Sequence, residues 1–125
     1  MKLSRFVIKA ADYRRSFSFY HDILGLPLKN SWQRADSWGA LFLCGDVLLE
    51  IIWYPEGEDN RTCNYIPKFP KLDIFFTVSN IEAQHQRLTQ FSELKISDIT
   101  EQPWGYKIFS LYDPDKVKVV FAQPI

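Results

Sequence analysis

Cysteine and histidine are scarce in this chain of 125 residues, which contains two of each. Cys44 and Cys63 form no Cys-x-x-Cys pair and lie near no cluster of histidines, so a zinc motif is absent. No Gly-rich phosphate loop is present, and no Ser/His/Asp or Cys/His grouping is suggested by spacing. These absences exclude the catalytic sites that are easiest to recognise from sequence.

Excess charge and long apolar runs are also lacking. Fifteen Lys and Arg residues balance fifteen Asp and Glu residues. Without a basic stripe, binding to nucleic acid through phosphate neutralisation is not expected. The first residues lack the apolar run of a signal peptide, and no stretch of ~18 apolar residues could span a membrane. We therefore expect a cytoplasmic protein with free thiols and no membrane partner.

Aromatic residues, in contrast, are plentiful, with 4 Trp, 6 Tyr and 10 Phe in a chain that is 46% hydrophobic. A chain of this size and composition buries the core of about one domain. The aromatic side chains either fill that core or line a pocket for a flat or apolar ligand.

The first half of the chain predicts one strand, one helix and three further strands. Residues 3–11 alternate as a strand, Asp12 is a helix N-cap and Gly25 ends the helix. The apolar face of that helix comprises Tyr13, Phe17, Tyr20 and Leu24. Strands follow at about 27–34, 38–44 and 46–54. A polar loop at about 55–70 is then either a linker between halves or a flap over a site.

The second half repeats this order. Residues 72–78 predict a strand, and Ser79-x-x-Glu82 is a capping box that opens a helix with the apolar face Ile81, His85, Leu88 and Phe91. We expect His85 to be a core histidine with its hydrogen bonds satisfied. A strand near 95–98 and a hairpin of 105–112 and 116–122 complete the pattern. Two βαβββ modules, about 1–56 and 71–125, related by duplication are the simplest architecture.

Two sequence motifs resemble those of a known superfamily. Residues 19–27 (FYHDILGLP) and residues 101–105 (EQPWG), with the Asp113-Pro114-Asp115 turn, resemble the glyoxalase/bleomycin-resistance/dioxygenase proteins, also called vicinal oxygen chelate proteins. The second phrase is closest to bleomycin-resistance proteins. Lys116 departs from the pattern, because that turn usually has glycine there. The resemblance implies an α+β fold in which two tandem βαβββ modules form a curved mixed sheet around a pocket.

Metal enzymes of this superfamily hold a divalent ion with four side chains, usually His, Gln or Glu. The matching positions here are Arg5, Glu50, Asp73 and Val120. Arg5 has only donors and a fixed charge, and Val120 has no lone pair, so we predict no metal site and no cofactor. In its place we expect Arg5 to bridge Glu50 and Asp73, either as structural filling or as a ligand anchor.

Strand parity indicates where a ligand would bind. Four strands have one wholly apolar face, which should pack against the helices, while the opposite faces mix apolar and charged residues. Those opposite faces either line a pocket or are simply hydrated. Trp104 is either at the pocket rim or a plug at the end of the barrel. The candidate ligand-binding residues are Arg5, Lys9, Glu50, Tyr54, Asp73, Phe75, Trp104, Tyr106 and Lys118.

The resemblance favours a metal-independent small-molecule binding protein of the bleomycin-resistance type, which sequesters a hydrophobic or aromatic ligand in a pocket between modules. A homodimer is expected, since superfamily members usually complete their pockets across a two-fold interface. The alternative is a glyoxalase-type lyase, isomerase or dioxygenase, with Glu50 the only candidate base and Arg5 as an oxyanion partner. A third hypothesis is a scaffold protein without a ligand. The sequence does not identify a substrate.

Overall fold

Each half of the chain forms a four-stranded mixed sheet in the computed structural model, which describes residues 1–125. Two compact units result, Met1–Ile66 and Pro67–Ile125. The elements of the first unit are β1 (Arg5–Lys9), α1 (Tyr13–Ser18), a π-helical segment (Phe19–Ile23), β2 (Leu28–Gln33), β3 (Trp38–Cys44), β4 (Val47–Trp53) and α2 (Gly57–Asn64). Its strand order is β1-β4-β3-β2, in which β1 and β4 are parallel and the other pairs antiparallel.

The second unit repeats this topology. Its elements are β5 (Asp73–Thr77), α3 (Ile81–Leu88), β6 (Thr100–Gln102), β7 (Tyr106–Tyr112) and β8 (Lys118–Pro124). The strand order is β5-β8-β7-β6, again with one parallel pair, β5 and β8. The predicted fold class, tandem βαβββ modules with mixed sheets, is confirmed. None of the helices has the length and apolar character needed to cross a membrane.

The first helical segment, α1 together with the π-helical segment that follows it, begins and ends where the sequence predicts. The Asp12 side chain accepts a hydrogen bond from the backbone N–H of Arg15 at 3.2 Å. Gly25 has a φ of 75°, a left-handed conformation that glycine adopts without steric cost. Between these ends the helix packs Tyr13 and Tyr20 into a core that includes the fully buried Phe42. The apolar face of the sheet and the apolar side of the helix therefore pack against each other in one layer.

The cap of α3 differs from the prediction. Asn80, rather than Ser79, is the N-cap, and its side chain accepts from the N–H of Ala83 at 3.0 Å. The N–H of Ile81 donates to Oε1 of Gln123 at 2.7 Å, so a long-range contact completes the cap. His85 was expected in the core but is only half-buried, while its Nε2 has the expected hydrogen-bond partner, the carbonyl oxygen of Ser97 at 2.9 Å.

Two segments between the predicted elements also differ. Helix α2 occupies part of the segment predicted as a polar loop, with Glu58 and Asp59 in its first turn, where carboxylates favour a helix. The strand expected near 95–98 does not form. Ser97 instead makes isolated hydrogen bonds to Ser110 on β7, at 3.0 and 2.8 Å. The strand that pairs with β7 is β6, which begins at Thr100.

Candidate functional site

One face of the first sheet carries the predicted polar residues. Aromatic contacts of α1 with Trp38 and Phe42 define the helix-bearing face of this sheet. The register places Arg5, Lys9 and Glu50 on the opposite face, because neighbouring strands present paired residues on the same side. The parity argument from sequence therefore assigned these three side chains to the correct face.

Arg5 and Glu50 form an ion pair on this face. Nη1 of Arg5 donates to Oε1 of Glu50 at 3.0 Å. Glu50 is only 8% exposed, whereas the Arg5 side chain is 49% exposed. A buried carboxylate needs such a partner, and the exposed guanidinium retains further donors. Asp73, the second expected partner of Arg5, lies on β5 of the second unit and is exposed; its bridge to Arg5 stays a prediction.

Helix α2 engages the other two candidate residues of the first unit. Nζ of Lys9 donates to the Asp59 carboxylate at 3.0 Å, and this hydrogen bond raises the pKa of Lys9. The carbonyl oxygen of Tyr54 accepts from the side-chain amide of Asn60. Sequence reasoning treated α2 as loop and so missed both contacts. Lys9 consequently reaches a ligand only in competition with Asp59.

The second unit brings three predicted ligand-binding residues together. The Trp104 ring centroid lies 4.9 Å from that of Tyr106 and 6.4 Å from that of Phe75. Trp104 and Phe75 are each 52% exposed, which is unusual for such large apolar side chains. We call Phe75, Trp104 and Tyr106 the aromatic triad. Its exposed rings offer a surface on which a flat molecule can stack.

Charged side chains flank the aromatic triad. Asp73 pairs with Lys118 in the register of β5 and β8, and Phe75 is the next β5 residue on the same face. This face is the one opposite α3, since α3 contacts Phe109 through His85 and Phe109 stacks on Phe121. Asp73 and Lys118 therefore provide one acidic and one basic group beside the triad.

The four positions that correspond to metal ligands do not fit a divalent ion. Arg5 supplies only donors and already holds a carboxylate oxygen of Glu50 at 3.0 Å. Val120 is 1% exposed and has no atom that could ligate. Nowhere in the described chain do three or more His, Cys, Asp or Glu side chains form a group suited to a metal. The donor chemistry thus leaves Glu50 and Asp73 as the only oxygen ligands of the set.

A feature that sequence reasoning missed lies on the helix-bearing face of the first sheet. A cleft of about 470 Å³ runs between α1 and the edge strand β2. Tyr13, Arg14 and Phe17 line one side and Ser31 and Gln33 the other. The only sequence signal was that Arg14, Ser18 and Asp22 recur every four residues, which places them on one side of a helix.

This chain is similar in sequence and fold to known proteins. The family model described as glyoxalase-like domain matches residues 3–125. The uncharacterized protein YaeR of Escherichia coli (strain K12) is 32% identical over 116 residues, or 86% of this chain and 84% of that protein. TnmS3, an antibiotic binding protein from Streptomyces sp. CB03234, superposes with a TM-score of 0.77 at 18% identity, covering 100% of this chain and 97% of that one.

A second solved structure has the same fold. A glyoxalase/bleomycin resistance protein/dioxygenase from Nocardioides superposes with a TM-score of 0.78 at 16% identity, covering 100% of this chain and 84% of that one. At such low identity the two solved structures establish the shared fold and nothing about activity. The match of the family model over nearly the whole chain, together with the similarity to YaeR, shows that this protein belongs to the glyoxalase-like domain family.

Proposed function

We propose that this protein is a metal-independent small-molecule binding protein of the bleomycin-resistance type that holds a flat hydrophobic or aromatic ligand against the aromatic triad. The observation that carries the proposal is the half-exposed pair of Phe75 and Trp104, with the Tyr106 ring tilted by 34° against that of Trp104. Burying such rings under a ligand gains about 25 cal/mol per Å² of apolar surface. Favourable ring geometry contributes about 0.5–1.5 kcal/mol beyond that.

Two further observations support the proposal. The Glu101 to Gly105 phrase around Trp104 resembles the corresponding loop of bleomycin-resistance proteins, and a solved structure with this fold, TnmS3, is an antibiotic binding protein. Asp73 and Lys118, on the same face as Phe75, supply opposite charges that can orient polar groups of a ligand. We extend the proposal to a cytoplasmic homodimer, on the analogy with superfamily members that complete their pockets across a two-fold interface.

Removing the Trp104 ring is expected to weaken ligand binding about fivefold or more, because stacking of a flat aromatic ligand on a protein ring is worth about 1–3 kcal/mol. Fluorescence titration with 9-aminoacridine and with anthraquinone-2-sulfonate compares a cationic and an anionic flat ligand. Trp104→Phe should retain most of the affinity, and Trp38→Phe, in the other unit, should leave it unchanged. Equal affinity of Trp104→Ala and wild type, or no binding of either compound below about 1 mM, would refute the proposal.

Metal ions are expected to leave the melting temperature unchanged. A ligand that binds only the folded state raises that temperature. Differential scanning fluorimetry with chelator, and then with nickel, zinc, manganese or iron(II), therefore tests whether these residues bind a metal ion. Glu50 and Asp73 alone give too few ligands, and Arg5 repels a cation. A saturable rise with one ion that EDTA reverses would overturn this prediction and favour the enzymatic alternative.

That alternative, a glyoxalase-type lyase, isomerase or dioxygenase, depends on Glu50 in this chain. Glu50 is 8% exposed and lies 3.0 Å from the guanidinium of Arg5, an arrangement in which a carboxylate abstracts a proton and the guanidinium stabilises the resulting oxyanion. Glu50→Gln separates the two functions, since it would abolish turnover in an enzyme while leaving stacking on the aromatic triad intact.

A further inference from the structure

The cleft between α1 and β2 has the size of a ligand site. Its volume of about 470 Å³ lies within the range of about 300–1,000 Å³ that is typical of small-molecule pockets. It belongs to the first unit and lies on the helix-bearing face of that sheet, whereas Arg5 and Glu50 are on the opposite face. None of the residues that line the cleft is used in the proposed function.

One wall of the cleft is aromatic and held in place. Tyr13 and Phe17 lie one helical turn apart with ring centroids 6.0 Å from each other, and Phe17 packs on the buried Phe42 at 5.8 Å. The Tyr13 hydroxyl donates to the carbonyl oxygen of Gly39 at 3.0 Å. Because both rings are fixed by these contacts, an apolar ligand group binds here without ordering the wall.

Arg14 provides a positive charge at one end of the cleft. Its guanidinium carbon lies 5.4 Å from the centroid of the Trp38 ring, and none of the ion pairs of the structure involves it. This cation–π contact holds the group near the ring, and none of its N–H donors is used by an ion pair. A guanidinium ordered in this way is suited to bidentate binding of a carboxylate.

Asp22 provides a negative charge at the other end. Arg14, Ser18 and Asp22 recur every four residues along this helical segment, and all three line the cleft. The hydrogen bonds of Asp22 to His21, at 2.8 Å, and to Ser18 lower the pKa of its carboxyl group. Arg14 in α1 and Asp22 in the π-helical segment are eight residues apart, so at an α-helical rise of ~1.5 Å per residue their backbones are separated by on the order of 10 Å.

We propose that this cleft binds a small aromatic zwitterion, with the ligand carboxylate at Arg14, its ammonium group at Asp22 and its ring against Tyr13 and Phe17. The spacing of the two residues along the helical segment guides the choice of ligand length. A tripeptide with free termini spans about 10 Å at ~3.5 Å per residue, which matches that backbone spacing.

The tripeptide Gly-Phe-Gly is a direct probe of this site. Titrating it into ¹⁵N-labelled protein should shift backbone resonances of residues 13–22 and 31–33 in heteronuclear single-quantum spectra. Acetylating its N-terminus or amidating its C-terminus should each raise the dissociation constant by about 1.4- to 5-fold, since an exposed ion pair is worth about 0.2–1 kcal/mol. Shifts confined to the aromatic triad, or none at millimolar peptide, would overturn the proposal.

Two charge-neutral variants assign each end. Arg14→Gln should bind Gly-Phe-Gly and its C-terminal amide equally well, and should still bind the peptide with a free N-terminus more tightly than the acetylated one. Asp22→Asn should show the opposite pattern. Both side chains are exposed, so the variants should retain the wild-type melting temperature. Trp104→Ala should leave the affinity for the peptide unchanged, which separates this site from the proposed function. If either variant keeps the full discrimination of wild type, the assignment of that charge is wrong.

Discussion

Replacing Asp113 with alanine is expected to lower the free energy of unfolding by about 2–4 kcal/mol. Asp113 is 4% exposed, and its Oδ1 accepts hydrogen bonds from the backbone N–H groups of Asp115 and Val117, both at 2.8 Å. Val117 and Asp115 are themselves buried, so alanine leaves two donors without a partner in the turn between β7 and β8. Urea unfolding followed by tryptophan fluorescence measures the loss.

Asp113→Asn is the matched control, because its amide oxygen keeps an acceptor at the same position. We expect it to lose clearly less stability than Asp113→Ala. The turn also holds Lys116 at a φ of 64°, where a side chain costs about 1 kcal/mol or more relative to glycine. The bonds of Asp113 oppose that strain. A loss below about 1 kcal/mol for Asp113→Ala would show that water replaces the carboxylate, and equal larger losses for both variants would show that an amide oxygen cannot replace it.

Strand positions were predicted well because each strand buries one face. The observed Trp38–Cys44 strand has the predicted bounds, and Val47–Trp53 lies one residue inside the predicted range at either end. A one-residue slip would move Leu49 and Ile51 from the core to the polar face. The sequence thus determines register wherever one face is wholly apolar, and the repeat of this pattern determines the tandem modules.

Elements that depend on distant partners were not predicted. Helix α2 is polar, but Cys63 is fully buried and Asp59 bonds Lys9 on β1. These contacts form only after folding, and an isolated helix of this length is marginal. Strand β6 has three residues and exists through its pairing with β7. Local propensity carries little information about either element.

The candidate sites divide in the same way. Phe75, Trp104 and Tyr106 were predicted from strand parity and one loop motif, and the structure places the Trp104 ring centroid within 6.4 Å of those of the other two. The cleft between α1 and β2 depends instead on how far the helix stands from the edge strand. Side-chain packing sets that distance, so Arg14 and Asp22 looked like ordinary exposed residues of an amphipathic helix.

Replacing Arg5 with alanine is expected to lower the free energy of unfolding by about 1–2 kcal/mol. Breaking a fully buried ion pair costs about 3–5 kcal/mol, but the Arg5 side chain is 49% exposed, so water screens part of this effect. The remaining cost arises because Glu50, at 8% exposure, keeps a charge without a partner. Chemical denaturation of Arg5→Ala at neutral pH gives the value.

The double variant Arg5→Ala/Glu50→Gln tests whether that unpaired charge is the cause. Removing the carboxylate's charge as well should restore part of the lost stability, so the double variant should unfold at higher denaturant concentration than Arg5→Ala alone. The two single variants and the double variant form a cycle whose coupling energy isolates the pair. Additive losses would instead mean that Arg5 acts through the packing of its aliphatic stem. If Arg5 stabilises the fold only through its stem, its guanidinium is free to bind a ligand. That result would favour ligand anchoring by Arg5 over a structural role.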